Sequence, residues 1–275
     1  MPSVLDVIQA TIPFFQKNGV ESARLNIEHL LAQVLGKKRM ELYLEFDRPL
    51  AEHELEPLRA LVKRRAAGEP LQHLLGTAEF HGRTFLCDKR ALIPRPETEQ
   101  LCELVLAGGA AARVLDVGTG SGVIALTLAA EWPQAQVEAV DLSDDALALA
   151  RENAGRLALA ERVRFSRSDL LAEVTGEFDL IVANLPYIAT AEVAQLAREV
   201  RHDPLTALDG GPRGLEIFER FVPQAARHLR GRLALETGHD QADLLTALLA
   251  AHNFQDIRAQ PDYQGRHRFL FANYG

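Results

Sequence analysis

Cysteine is scarce in this 275-residue chain. Cys87 and Cys102 are too few for a disulfide framework, and they are not spaced as metal ligands. The nine histidines show no ligand spacing either, so no metal is expected. No N-terminal signal segment is visible, and no apolar run is long enough to span a bilayer. No membrane partner is therefore expected, and a reducing cytoplasm is the simplest setting. A basic excess is missing too. The formal net charge is −8: residues 1–85 hold 11 Lys/Arg and 11 Asp/Glu, whereas residues 86–275 hold 19 and 27. Nucleic-acid binding usually leaves a basic footprint, so no direct nucleic-acid partner is expected. Repeats and low-complexity tracts are absent. The rest is ordinary for a soluble globular protein, with 47% apolar and 25% charged residues. The length suits one large domain or two unequal ones.

Apolar spacing predicts helices through most of residues 1–85: near Val4–Phe15, from a Ser22 cap to Gly36, a short piece near Met40–Tyr43, and Glu52–Ala67. The charged run Lys63-Arg64-Arg65 reads as a solvated helix face. Phe80, Phe85 and Leu86 around Gly82 suggest a β-hairpin. Ile93-Pro94-Arg95-Pro96-Glu97-Thr98-Glu99 is stiffened by two prolines and leads into a helix. It is either a linker or a ligand wall, and composition favours a linker. Strands then alternate with helices: strands at 114–117, 136–140, 163–165, 178–183 and 231–236, with a terminal pair at 254–260 and 266–271. Such alternation implies a parallel sheet covered on both faces. Helical segments are expected near 191–199, 213–229 and 241–251, with Pro223 kinking or interrupting the second.

The first strand runs into Gly118-Thr119-Gly120-Ser121-Gly122 and then a helix. That arrangement brings backbone against a ligand, and a helix N-terminus favours an anionic group. A dinucleotide fingerprint needs its third glycine one place later, so a Rossmann oxidoreductase is disfavoured. Asp116 is a poor strand residue, placed either for the ligand or to hold the glycine turn. Asp141 ends the second strand roughly twenty residues on, where a carboxylate can accept from ribose hydroxyls. Asp169-Leu170 follows the third strand, where an adenine edge would lie; a plain turn aspartate is the bland reading. Asn184-Leu185-Pro186-Tyr187 ends the fourth. Asn184 offers an amide, Pro186 biases Leu185 toward extended backbone, and Tyr187 supplies a flat face. Together they suit a planar group bearing an NH2, either a base amine or a side-chain amide. The bland reading is a strand ending in an X-Pro turn.

The glycine turn, the three acids and Asn184-Leu185-Pro186-Tyr187 resemble those of class I S-adenosylmethionine methyltransferases of the amino-methylating kind. Residues 70–76, Glu79-Phe80-His81-Gly82, residues 93–99, 205–214 and 262–266 narrow the resemblance to the peptide chain release factor N5-glutamine methyltransferases, the PrmC/HemK family. That family usually carries Asn-Pro-Pro-Tyr; here Leu185 stands second, as it does in rRNA adenine dimethyltransferases. The resemblance implies an α/β fold: a seven-stranded Rossmann-like class I methyltransferase domain (93–275), a small helical N-terminal domain that docks substrate (1–75), and a β-hairpin link (76–92). It implies methylation of the glutamine in a Gly-Gly-Gln loop of class I release factors, by a chain expected to be a monomer. Methylation of adenine N6 in RNA or DNA stays open as the alternative. Asn184, Leu185, Pro186 and Tyr187 would hold the substrate, and Asn184, Pro186 and Tyr187 would carry catalysis. The cofactor residues would be Asp116, Gly118, Thr119, Gly120, Ser121, Gly122, Asp141, Leu142, Asp169, Leu170 and Asn184, with Arg95, Glu97 and Thr98 walling it in.

Overall fold

The structure, a computed structural model, describes residues 1–275, which divide into two compact units. The first comprises residues 1–77 together with 197–202. Ser3 caps α1 (Val4–Lys17) through a capping box with Asp6, and the helix runs through Pro13. Helices α2 (Ala23–Leu35), α3 (Glu52–Ala66) and α4 (Leu71–Leu75), with a 3-10 turn over Arg39–Leu44, bury Ile8, Phe15, Ile27, Leu30, Leu42 and Leu58 in one core.

Two expectations fail in this unit. Ser22 does not cap α2: it sits at φ 46° with no side-chain capping bond. The Asn26 amide instead donates to the carbonyls of Glu21 and Ser22, at 2.9 and 3.2 Å. Arg65 is not solvated. It is 3% exposed, and its guanidinium reaches Asn26 Oδ1 at 2.6 Å, Glu69 O at 3.1 Å and Glu199 Oε1 at 2.5 Å. Residues 197–202 also belong to this unit. Arg198 there donates to Ala67 O at 2.6 Å.

The second unit comprises residues 78–196 and 203–275. From Ala78 it opens with the hairpin of β1 (Thr77–Phe80, begun on the last residue of the first unit) and β2 (Arg83–Leu86), whose Phe80 and Phe85 rings meet edge-on at 6.0 Å. Next come α5 (Pro96–Ala107), β3 (Arg113–Val117), α6 (Val123–Glu131), β4 (Gln136–Asp141), α7 (Asp144–Arg156), β5 (Val163–Arg167) and β6 (Phe178–Asn184). The chain finishes with α8 (Thr190–Val193), α9 (Glu216–His228), β7 (Leu229–Glu236), α10 (Ala242–Ala251), β8 (Gln255–Pro261) and β9 (His267–Tyr274).

The seven strands form one sheet in the order β5-β4-β3-β6-β7-β9-β8, parallel except for β9, which runs against both its neighbours. Alternate residues feed two cores. Val114, Leu180, Val182 and Ala234 pack with α5 and α6; Leu115, Ile181, Leu233 and Leu235 pack with α9 and α10. Burial on both faces explains why these strands read as continuous apolar runs. The strand order reverses between β3 and β6, which opens a crevice beyond their carboxyl ends.

Here too the helices differ from expectation. The segment expected over 191–199 is helical only at α8, which buries no residue and so has no apolar face to extend it. Pro223 does not split α9 into two elements; Phe218, Phe221, Val222 and Ala225 are all buried along it. Burying two phenylalanines stabilises by roughly 1.5–3 kcal/mol each, enough to offset the roughly 3 kcal/mol cost of an internal proline. No helix is long and apolar enough to cross a membrane.

Candidate active site

The crevice is a cavity of about 420 Å³, within the range of small-molecule sites. The glycine turn forms its floor. Gly118, Gly120 and Gly122 all have left-handed φ, at 73°, 56° and 84°. Gly118 N and Thr119 N both donate to Val140 O, at 2.9 and 3.0 Å, and tie the turn to the end of β4. Asp141 continues that tie: Oδ2 accepts from Gly120 N and Oδ1 from Ser143 N, each at 2.9 Å. Burial pushes the Asp141 carboxyl above the usual range, and its bonds to the Ser143 and Gly120 amides pull the other way. Ser143 caps α7 as expected, accepting from Ala146 N.

Asp116 lies under the turn rather than in the cavity lining. It is fully buried; Oδ2 accepts from Thr119 Oγ1 at 2.7 Å and Ala125 N at 3.1 Å, while Oδ1 has no partner. Of its two sequence readings, these contacts match the one in which it holds the loop. Burial, only partly offset by those two bonds, pushes its pKa up to about 7. The folded state therefore holds a proton that the unfolded chain has already lost. That contribution to stability is complete below the unfolded pKa near 4 and disappears as pH rises through about 7. Between about pH 6 and about pH 8 the expected loss is on the order of 1 kcal/mol, and Asp116→Asn removes it. Chemical denaturation at the two pH values checks this; an unchanged slope in the variant contradicts it.

Leu142, Ser168, Asp169 and Leu170 supply the side wall. Asp169 is not a bare turn acid, since Arg220 Nη2 donates to its Oδ2 at 2.5 Å. Leu170 stands at φ 56°, a strained position of the kind that concentrates at functional sites. The proline-stiffened segment is no linker. Ile93, Pro94 and Arg95 line the cavity, Asp203 accepts from Ile93 N at 3.1 Å and from Arg95 Nη2 at 2.5 Å, and Arg95 is the extended residue just before α5. Glu97 and Gly122 do not line the cavity. Gly122 is instead the tight N-cap of α6, where a Cβ would crowd Leu126 and Ala150.

Asn184 closes β6 at the cavity edge, one residue beyond the last β3 pairing (Val117 with Ala183) and opposite Glu236 of β7. Its Nδ2 donates to Thr98 Oγ1 at 2.9 Å, and Thr98 Oγ1 donates to Glu236 Oε2 at 2.7 Å. Leu185 is buried, with its side chain in the second core, and Pro186 lines the cavity. Tyr187 does not line it. Its ring packs on the same core, and burial, then the nearby Glu236, pushes its hydroxyl up to about 12. Gln241 clamps the exit of the tetrapeptide: Nε2 donates to Tyr187 O at 2.8 Å and Gly214 O at 3.0 Å. A side chain at Gly214 would run into the Tyr187 carbonyl oxygen.

Sequence reasoning missed Glu236, Gln241 and Asp203. Glu236 alone left a signal: an acid ending an apolar strand at the same sheet edge as Asp141.

Two family models match this chain: the PrmC N-terminal domain over residues 6–76 and the methyltransferase small domain over 98–211. A release factor glutamine methyltransferase of Chlorobaculum tepidum is 42% identical, covering 98% of this chain and 96% of that one. The chain belongs to the release factor glutamine methyltransferase family. A second member, from Moorella thermoacetica, is 43% identical over 92% of each chain. A methyltransferase structure from Pyrococcus furiosus matches the fold with a TM-score of 0.55, at 18% identity, over 80% of this chain and 99% of that one. The family's methyltransferase fold, with its N-terminal helical region, accords with the class read from the sequence.

The cavity's residues suit S-adenosylmethionine. Its acids Asp141 and Asp169 can face hydroxyl and amine groups, Leu142 offers a half-exposed apolar face, and the glycine turn admits close backbone approach.

Proposed function

We propose that the protein transfers the methyl group of S-adenosylmethionine to the side-chain amide nitrogen, N5, of the Gly-Gly-Gln glutamine in class I release factors, and so modulates translation termination. It acts in the cytoplasm as a single chain, with the release factor as its partner and no direct nucleic-acid contact. The observation that carries this reading is Asn184, whose Nδ2 is committed to Thr98, so that its amide oxygen remains for an incoming NH2. Family membership favours glutamine over adenine, since the relatives are named for the glutamine reaction.

The bound cofactor supplies an electrophilic methyl on a sulfonium. The nucleophile is the difficult partner, because an amide lone pair is delocalised into its carbonyl. Asn184 Oδ1 and the Leu185 backbone carbonyl each accept one N–H of the glutamine amide, which orients the nitrogen and raises its electron density. Pro186 forms the wall beside them, with Tyr187 backing the segment through its ring. Proximity and exclusion of water provide the rest. Asp141, Leu142, Asp169, Leu170, Arg95 and residues 118–121 hold the cofactor, and the proton leaves to water after transfer.

Mass spectrometry of a purified release factor, incubated with the protein and S-adenosylmethionine, tests the reading. One methyl on the Gly-Gly-Gln glutamine is the expected result. Label in rRNA or DNA, with none on the release factor, would overturn it.

The N-terminal unit docks the release factor. Its 3-10 turn leaves Met40 and Leu44 64% and 87% exposed, apolar groups with no partner of their own. Replacing both with serine is expected to raise KM for the release factor by about tenfold, the size of a moderate hot spot, and to leave cofactor Kd unchanged. Steady-state kinetics and calorimetry separate the two constants.

A further inference from the structure

Glu236 takes no part in the mechanism above, yet it lies directly beside Asn184 in the sheet, 2% exposed. A buried carboxylate requires hydrogen-bond partners, and here the Thr98 hydroxyl is the nearer one, with the Asn184 side chain also bonding to it. A hydroxyl has one proton. Thr98 gives that proton to Glu236, so it can meet Asn184 only with a lone pair, and Asn184 must present Nδ2–H to it. The orientation of the Asn184 amide therefore follows from the ionised carboxylate two bonds away.

We infer that Glu236 is a positioning residue for methyl transfer: through the Thr98 hydroxyl it locks the Asn184 amide with its oxygen free for the acceptor. The inference rests on Asn184 being the acceptor of the substrate N–H. It has a consequence in pH. A neutral Glu236 donates to Thr98, the Thr98 proton turns to Asn184 Oδ1, and the amide reverses. Substrate NH2 then faces Asn184 NH2, donor against donor. Burial pushes Glu236 up to about 7, with Glu97 adding to the rise and the Thr98 bond, Arg268 and a bond from Asn184 opposing it. The titratable and charged groups facing it are Glu97 and Cys102 of α5, Tyr187 beyond β6, and Arg268 of β9, itself paired with Asp262 at 3.0 Å.

Two measurements on the full chain test this. In 1H–15N spectra without release factor, the Asn184 side-chain amide, assigned by its loss in Asn184→Ala, is expected to titrate with a midpoint near 7 in wild type and to stay flat in Glu236→Gln. A flat wild-type signal, or an unchanged titration in the variant, overturns the inference whatever the methyl acceptor proves to be. In single-turnover methylation, the wild-type rate is expected to fall about tenfold from about pH 8 to about pH 6, and Glu236→Gln to fall less than about twofold. An equal fall in both overturns the inference. At saturating cofactor Thr98→Val is expected to lose about tenfold in rate, and Thr98→Ser to restore it. A serine variant as slow as the valine one would show that packing, not the hydroxyl, matters there.

Discussion

Asn184→Ala is expected to lower kcat by on the order of 10³-fold, with cofactor Kd and release-factor KM changing only a few fold. The asymmetry follows from where charge develops. In the ground state the glutamine amide is neutral, and one neutral hydrogen bond contributes about 0.5–1.5 kcal/mol net. As the nitrogen takes the methyl it becomes cationic, and the bond to Asn184 Oδ1 strengthens as the reaction proceeds. Loss of the side chain also removes its bond to the Thr98 hydroxyl, which holds the acceptor in place opposite Glu236. Misplacement by about 1 Å can itself cost about 10²-fold. Rapid-quench methyl transfer with saturating cofactor, beside calorimetric Kd, is the appropriate pair of measurements. A kcat within about threefold of wild type would remove Asn184 from the chemistry.

The outline of this site could be read in the sequence because its parts are local. A strand, a glycine turn and a helix occupy consecutive residues, and Asp141 and Asn184 end short, largely apolar runs of strand length. Each declares its place through its immediate neighbours. The remainder depends on pairings across the fold. Thr98 meets Asn184 across 86 positions and Glu236 across 138, so nothing near Thr98 reveals that its hydroxyl serves another side chain. Arg65 reads as solvated in its basic run, yet its partner Glu199 lies 134 positions away. Ile93-Pro94-Arg95 has a linker's composition and becomes a wall only because Asp203 takes both the Ile93 amide and the Arg95 guanidinium. Pro223 follows the same logic in reverse: the local rule is sound, and an apolar face of α9 overrides it.

Asp141→Ala is expected to raise cofactor Kd by about 10²-fold and to leave kcat near wild type once cofactor saturates. The carboxylate has two duties. It accepts from Gly120 N and Ser143 N and so fixes the glycine turn against the start of α7, and its remaining lone pairs face the cavity. Hydrogen bonds to a charged acceptor contribute roughly 1.5–3 kcal/mol each, so alanine loses about 3 kcal/mol shared between turn order and ligand binding. Asp141→Asn should not rescue it. An amide can accept from only one of the two backbone N–H groups, and its own NH2 confronts the other. The aspartate variants thus fail in affinity and recover with added cofactor, whereas Asn184→Ala fails at saturation and does not. If excess cofactor restored Asn184→Ala, or left Asp141→Ala slow, the division between a cofactor-holding edge at β4 and an acceptor-holding edge at β6 would be wrong. That division follows from the sheet itself, because the strand order reverses between β3 and β6 and gives the two groups separate strand ends facing one crevice.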